Sequence, residues 1–508
     1  MKKATVILWA FVIVKMCLHF FLINPAYDLH RDEYLHLDQA KHLAWGFESV
    51  PPFSSWISLI MLYLGNSIFW IKFFPALFGA LTLVVVWKAV ETLGGNLFAL
   101  VLSATAMLFS VILRLNILWQ PNSFDVLCWT TFYFAIIRYI NSQSPQWLWY
   151  AAAIFAIGFL NKYNIVFLAM GIFPALLLTE HRKIFLQKHF FIVMGIAFLI
   201  VLPNLVWQYQ HSFPVVHHMQ TLAKTQLVNV NRIDFLKDQL LFFLSSFFII
   251  VASLYALFFY PSFRRYRVFG WTFFFTLFIF LFFKAKSYYA IGLYPIFLSF
   301  GSIYLEQVLT TGWKFYLRGV AIAVVVILFV PIVKLAFPIE SPSAVQQNGK
   351  ALKDLGLLRW EDGKDHPLPQ DFADMRGWKE LAYKTDSIYK SLGSPGNTLV
   401  LCDNYGQAGA INYYSKYKVN AVSMNADYIN WFPLRDMQVK HVILVQEPDD
   451  DDPAREKERP LFKTVKLAAQ VEDSFAREYG TKIYLLKDAL TSINKILEDE
   501  IKKEKEEN

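Results

Sequence analysis

The chain has 508 residues, of which 56% are hydrophobic, 17% aromatic and only 17% charged, with a net charge of +8. A soluble domain typically carries roughly 25% charged residues, so this composition excludes an ordinary soluble enzyme. The basic excess comes without the compact basic stripe of a nucleic-acid partner, and Cys17, Cys128 and Cys402 are too scattered for a disulfide framework or a zinc site.

In chain order, apolar runs near the roughly 20 residues needed to cross a bilayer fall at 5–23, 67–92, 97–113, 122–140, 147–160, 164–179, 190–207, 237–259, 269–283, 289–305 and 315–337, predicting about eleven spans. The first follows Met-Lys-Lys and lacks a small-residue cleavage site, so it reads as a retained anchor. Lys2, Lys3, the basic stretches 181–189 and 264–267, Lys314 and Arg318 mark the cytoplasmic side by the positive-inside rule. The stretch containing Asp32 and Glu33, together with Lys162, the turn 284–289 and everything after about residue 338, is then expected on the outer side.

Residues 24–66 are too polar and too Pro-interrupted to cross. A helix is expected from Asp32, with Tyr34, Leu37, Lys41 and Ala44 on one stripe and Asp32, Glu33, His36 and Gln39 on another. Gly46 should stop it, Pro51 and Pro52 force an extended stretch, and a second short helix follows. Both are expected to lie on the outer membrane surface. Beyond residue 338, Gly, Pro and charge increase. Strands are expected at 397–403, 441–447 and 481–487 and a helix at 376–392, a small α/β domain. Residues 447–460 read as a solvated loop and the charged end as a frayed helix or disordered tail. The expected domains are therefore 1–337 (with its first outer loop 24–66), 338–490 and a charged tail 491–508.

Charges kept beside lipid need a reason. Asp32 and Glu33 suit either a general base at the membrane surface or a simple helix cap. Glu33 and His36 make half of a metal motif, so a divalent metal is left open, with no cofactor assigned. Lys162, Lys284 and Lys286 oppose the positive-inside trend, which an anionic phosphate would explain. Asp125, one turn into an apolar run, is functional by default or else the partner of Arg114 or a lysine. Carboxylates and cations on one outer face suit group transfer from a lipid phosphate ester. A polytopic transporter or flippase is the alternative, but no internal repeat supports it.

These stretches resemble the bacterial membrane glycosyltransferases of family 39, which are related to protein O-mannosyltransferases. The matching segments are "RDEYLHLDQAKHLAWGFESVPPFSSW" (31–56), "LWQPNSFDVLCW" (118–129), "GFLNKYNIVF" (158–167), "KAKSYYAIGLYP" (284–295) and "DNYGQAGAINYY" (403–414). The resemblance implies a polytopic α-helical membrane protein of GT-C type and a polyprenyl-phosphate-linked sugar donor. The acceptor would be a lipid, glycan or protein, and the location the bacterial inner membrane with an extracytoplasmic catalytic face. It places the acid pair on Asp32 and Glu33. The family's lysine and tyrosine turns carry over onto Lys162, Tyr163, Lys286, Tyr288 and Tyr289 as donor-phosphate contacts; the outward charges themselves add Lys284 and Arg114, and the expected substrate cleft holds Arg31, His36, Pro51, Pro52 and Asp125. Departures from the family pattern are Asn122 after Pro121, Phe47 after Gly46, and Ser49-Val50 before Pro51.

Overall fold

Helices dominate the first two thirds of the chain and a mixed sheet the last third, in a computed structural model that describes residues 2–393 and 395–507. Asn508, the last residue of the expected tail, lies outside the described residues. The chain divides into two compact units. One comprises Met1–Ile23, Val50–Ser54 and Asn66–Ile339; the other comprises Asn24–Ser49, Ser55–Gly65 and Glu340–Asn508. Most of the loop between the first two hydrophobic segments therefore groups with the C-terminal residues rather than with the apolar helices.

The first unit is helical because backbone N–H and C=O groups surrounded by apolar side chains must find partners within their own segment. Among the described residues, five helices are long and apolar enough to span a membrane, and up to eight if each bent pair counts as one. The difference from the expected eleven lies in breaks and in helices that are too short or too polar. The run 97–113 splits at Phe109 into Leu97–Leu108 and Val111–Leu115. Ile165–Leu177 bends 109° into Glu180–Leu186, and Ser287–Leu293 bends 51° into Pro295–Val308. Gln146–Asn161 has only 16 residues.

Close helix packing here relies on small residues, as is usual where lipid removes the hydrophobic drive between helices. Gly301 lets Pro295–Val308 approach Phe247–Phe259 so closely that a Cβ would sit 2.0 Å from the Ile249 carbonyl oxygen. Backbone cannot yield as a flexible side chain can.

In the second unit the strands are β1 (Thr398–Cys402), β2 (Ala421–Ser423), β3 (His441–Gln446), β4 (Phe462–Gln470) and β5 (Lys482–Ala489), in the order β2-β1-β3-β5-β4. β1 runs parallel to β2 and β3, with Val400 opposite both Ala421 and Ile443, while β5 is antiparallel to β3 and β4. The helix Tyr405–Tyr414 supplies the crossover from β1 to its parallel neighbour β2. The expected helix at 376–392 forms as Trp378–Leu392, with Trp378, Leu381, Ala382 and Ile388 buried. The chain end takes the helical one of its two expected forms. Ile493–Glu507 is one helix whose Ile493 and Leu497 join the apolar cluster over the sheet, which anchors it.

The Arg31–Asp38 helix also differs. It ends at Asp38, continues as a single 3-10 turn over Gln39–Lys41, and buries every residue from Glu33 to Asp38. It is an interior helix of the second unit, not an amphipathic one lying on a surface.

Replacing Gly301 by Ala should lower the thermal unfolding temperature in detergent, at an overpacking cost of about 1–3 kcal/mol. Gly195→Ala, where nothing lies within 4 Å, should be neutral or slightly stabilising through helix propensity. Equal unfolding temperatures for the two variants would contradict the close packing.

Candidate active site

Two clusters collect the residues singled out from the sequence, one in each unit. In the second unit the acid pair opens the Arg31–Asp38 helix, and its two members face different partners. His30 is the N-cap. Its ring Nδ1 accepts from the Asp32 backbone N–H at 3.2 Å, while the Glu33 carboxylate accepts from the His30 backbone N–H at 2.7 Å. This reciprocal capping box satisfies donors that a helix start leaves open. Glu33 is fully buried in that role.

Asp32 points elsewhere, with its side chain 35% exposed. Its Oδ1 accepts from the Tyr405 hydroxyl at 2.7 Å, and His30 Nδ1 lies 3.9 Å from Oδ2. The Arg31 guanidinium stacks 4.5 Å over the Tyr405 ring. Burial pushes the Asp32 carboxyl up, but His30, Arg31 and the Tyr405 hydroxyl outweigh it and hold it down at about 2. Asp32 is therefore a carboxylate at any physiological pH.

Tyr405 was not legible as a site residue. It lies in the "DNYGQAGAINYY" segment, which forms the helix that packs on Arg31–Asp38. Gly409 permits the contact, since a Cβ there would lie 2.6 Å from Tyr34 Cβ. Asn412 and Tyr428 both donate to Asp38 Oδ2, at 2.8 and 2.7 Å. His36, expected in a cleft, is buried with Nδ1 3.1 Å from Gln39 Oε1, and burial pushes its imidazole below the ordinary value. Gln39 in turn donates to Asp427. With Glu33 capping and His36 tied to Gln39, the half-motif does not converge on a common point. Among the described residues no three His, Cys, Asp or Glu side chains gather to hold a metal.

In the first unit, Lys162 follows the Gln146–Asn161 helix. Its ammonium donates to Asn122 Oδ1 at 2.6 Å and lies 4.4 Å from the Tyr289 ring centroid and 5.1 Å from that of Tyr288. Lys286 is near enough for its charge to repel that of Lys162. Asp125 attracts Lys162, and its oxygens accept from Trp129 Nε1 at 3.0 Å and Asn164 Nδ2 at 2.9 Å. Asn164 also donates to the Tyr289 carbonyl at 3.0 Å, which locks the two turns together. Tyr163 faces another way, donating to Asn204 and accepting from Gln208. Lys284, at a left-handed φ of 52°, follows the end of the Arg267–Phe282 helix, and among the described residues no hydrogen bond or ring contact joins it to this group. Arg114 lies on the short Val111–Leu115 helix, and Pro51 and Pro52 are buried ahead of Phe53, which stacks 4.1 Å from Phe124.

Comparison with known proteins gives this geometry a context. Residues 49–207 match the family described as dolichyl-phosphate-mannose-protein mannosyltransferase. Lipid A galacturonosyltransferase RgtD of Rhizobium johnstonii is 25% identical over 211 residues, covering 41% of this chain and 44% of that protein. The chain thus matches less than half the length of this curated relative. The crystal structure of ArnT from Cupriavidus metallidurans bound to undecaprenyl phosphate aligns with a TM-score of 0.65 at 12% identity, over 95% of this chain and 97% of ArnT. Apo ArnT gives 0.63 at 14% identity, over 95% and 98%. An Archaeoglobus fulgidus oligosaccharyltransferase gives 0.51 at 12% identity, over 88% and 69%. The chain has the ArnT-like GT-C fold that the sequence resemblance implied.

Tyr405→Phe removes a hydrogen bond to the charged form of Asp32, so the carboxyl should rise toward the ordinary value of about 4. The sign follows: any activity that needs ionised Asp32 should keep its rate to low pH in the parent. In the variant its acid limb should move to higher pH. A pH–rate profile of both proteins checks this, and superimposable acid limbs would remove Asp32 as the controlling group.

Proposed function

From a membrane segment of the dolichyl-phosphate-mannose-protein mannosyltransferase family, set in the fold of ArnT, we propose that this chain is an inverting glycosyltransferase. It moves a sugar from a polyprenyl-phosphate-linked donor to a hydroxyl or phosphate of a lipid, glycan or protein acceptor. The observation that carries the reading is Asp32: an ionised, partly exposed carboxylate held by His30, Arg31 and Tyr405. ArnT bound to undecaprenyl phosphate supports the donor class, and the lipid A specificity in the name of RgtD supports a lipid acceptor. The loop charges support the outer face of the bacterial inner membrane as its place of action.

In this reaction the acceptor oxygen attacks the anomeric carbon and forms the new glycosidic bond. The bond from that carbon to the phosphate oxygen breaks, and the polyprenyl phosphate leaves with the electron pair. Asp32 takes the acceptor proton. The transition state is oxocarbenium-like, as in other glycosyl chemistry, and Lys162 with Lys286 neutralises the charge that grows on the departing phosphate. Tyr288 and Tyr289 hold the Lys162 ammonium by their ring faces. Glu33 acts through the helix start, keeping Asp32 in place.

Asp32→Asn should lower turnover by about 10²–10⁴, the usual range for a positioned acid or base. Glu33→Gln should retain most activity, because Gln also completes a capping box. Transfer from a polyprenyl-phosphate sugar by purified protein is the measurement, and the reverse ranking would exchange the two roles. Lys162→Met should reduce donor use about tenfold to hundredfold, the value of one charge-assisted hydrogen bond, with acceptor affinity unchanged. Loss of acceptor affinity instead would assign Lys162 to the other substrate.

A further inference from the structure

Two basic stretches of the first unit, 181–189 and 264–267, take no part in the proposed reaction. The fold brings them together. The 3-10 segment Glu180–Leu186 lies against the 3-10 segment Pro261–Tyr266, where the Arg265 carbonyl accepts from the His181 ring Nε2–H at 2.6 Å. Both are fastened to the end of the Asn122–Ser142 helix. The Tyr266 hydroxyl donates to Asn141, and the Tyr139 hydroxyl donates at 3.0 Å to Oε1 of Gln187, which follows the first segment. Phe185 stacks on Phe173 with ring centroids 5.8 Å apart, holding the same segment against the helix Ile165–Leu177.

Between these ends lies a cavity of about 410 Å³, whose lining includes Gln143, Glu180, Arg182, Lys183 and Arg265. Three cations thus share it with one carboxylate, and among the described residues no ion pair joins Glu180 to any of them. The Arg265 guanidinium lies 4.9 Å over the Tyr266 ring, which orients it without neutralising it. The cavity sits at headgroup depth. Glu180–Leu186 turns 109° away from Ile165–Leu177, with which it forms one candidate span; a segment that turns so far from a crossing direction runs close to the bilayer plane. The helix Gln146–Asn161, which starts three residues beyond Gln143, opens with Trp149 and Tyr150 exposed, an aromatic belt of the kind that marks a membrane–water interface. Leu177, Leu178 and Leu186, at the two ends of the turn, are exposed as well. Exposed leucines beside basic residues suit lipid rather than water.

We propose that this cavity binds the phosphate headgroup of an anionic membrane phospholipid, held by Arg182, Lys183 and Arg265, with the acyl chains against Leu177, Leu178 and Leu186. Basic pockets between membrane helices suit such headgroups, and guanidinium groups match the oxygens of a phosphate. A free phosphate offers the same oxygens, but only a lipid makes use of the leucines. Glu180 repels the anion and limits the affinity. The site is independent of the transfer reaction, in which none of these side chains takes part, and its test needs no turnover.

The test uses the full chain, delipidated in detergent, with binding read by native mass spectrometry and by thermal stabilisation. Phosphatidylglycerol, phosphatidylcholine and glycerol 3-phosphate are each titrated. The anionic lipid should bind about tenfold more tightly than the zwitterionic one, and glycerol 3-phosphate should not displace it. Arg265→Gln should weaken the anionic lipid about tenfold, the value of one charge-assisted hydrogen bond. Arg264→Gln removes an equal charge from the same segment at a residue outside the cavity lining, and should leave the affinity unchanged. Glu180→Gln should strengthen binding, and that gain is read instead if Arg265→Gln does not fold; its absence then overturns the site. Equal weakening by Arg264→Gln and Arg265→Gln would reduce the effect to diffuse surface charge and overturn the site, as would equal affinity for the two lipids. Binding of glycerol 3-phosphate with the same dependence on Arg265 would overturn the assignment to a lipid.

Discussion

The second unit depends on how closely the Arg31–Asp38 and Tyr405–Tyr414 helices approach each other. That distance is set by Gly409, against which Tyr34 Cβ and the Tyr428 hydroxyl both rest. A side chain there would push the helices apart and lengthen three hydrogen bonds together: Tyr405 to Asp32, and Asn412 and Tyr428 to Asp38. Asp38 is 5% exposed, with its second oxygen 2.7 Å from the Lys41 ammonium. A buried carboxylate is tolerable only when its oxygens are fully engaged. The glycine is thus the condition on which the buried charge, the helix position and the orientation of Asp32 all rest.

The first unit meets the same demand differently. Lys162 is surrounded by one amide oxygen and two tyrosine ring faces. Ring faces hold a cation by their quadrupoles without neutralising it, so the ammonium is fixed in place yet still able to attract an anion. Asp125 is arranged in the complementary way, with its oxygens occupied by the neutral donors Trp129 and Asn164. Neither group is spent on a simple contact ion pair, which would fix both charges and leave little field for a substrate.

How much of this could be read from the residues varied with how local each cause was. β1, β3 and β5 were legible because they are unbroken apolar runs. β4 was hidden because it is an edge strand whose exposed lysines, Lys463 and Lys466, guard against further pairing. β2 is only three residues long. Asp32, Lys162 and Asp125 stood out as charges beside lipid, a local signal. Tyr405 did not, because it reaches Asp32 across 373 residues of sequence, and nothing in its own neighbourhood marks it. The surface-lying helix expected after Asp32 failed for a related reason: its polar stripe faces protein partners such as Asp427, not water.

The neighbouring acids Asp32 and Glu33 show how a helix start divides labour. Glu33 turns back to the His30 N–H and becomes part of the cap, while Asp32 projects toward Tyr405. The positive end of the helix and Arg31 both favour its charged form. A carboxylate held so far down is a weak base, and it cannot deprotonate an unactivated hydroxyl. In the proposed reaction it can accept the proton only late, once the acceptor oxygen has bonded to the electron-poor anomeric carbon and become acidic.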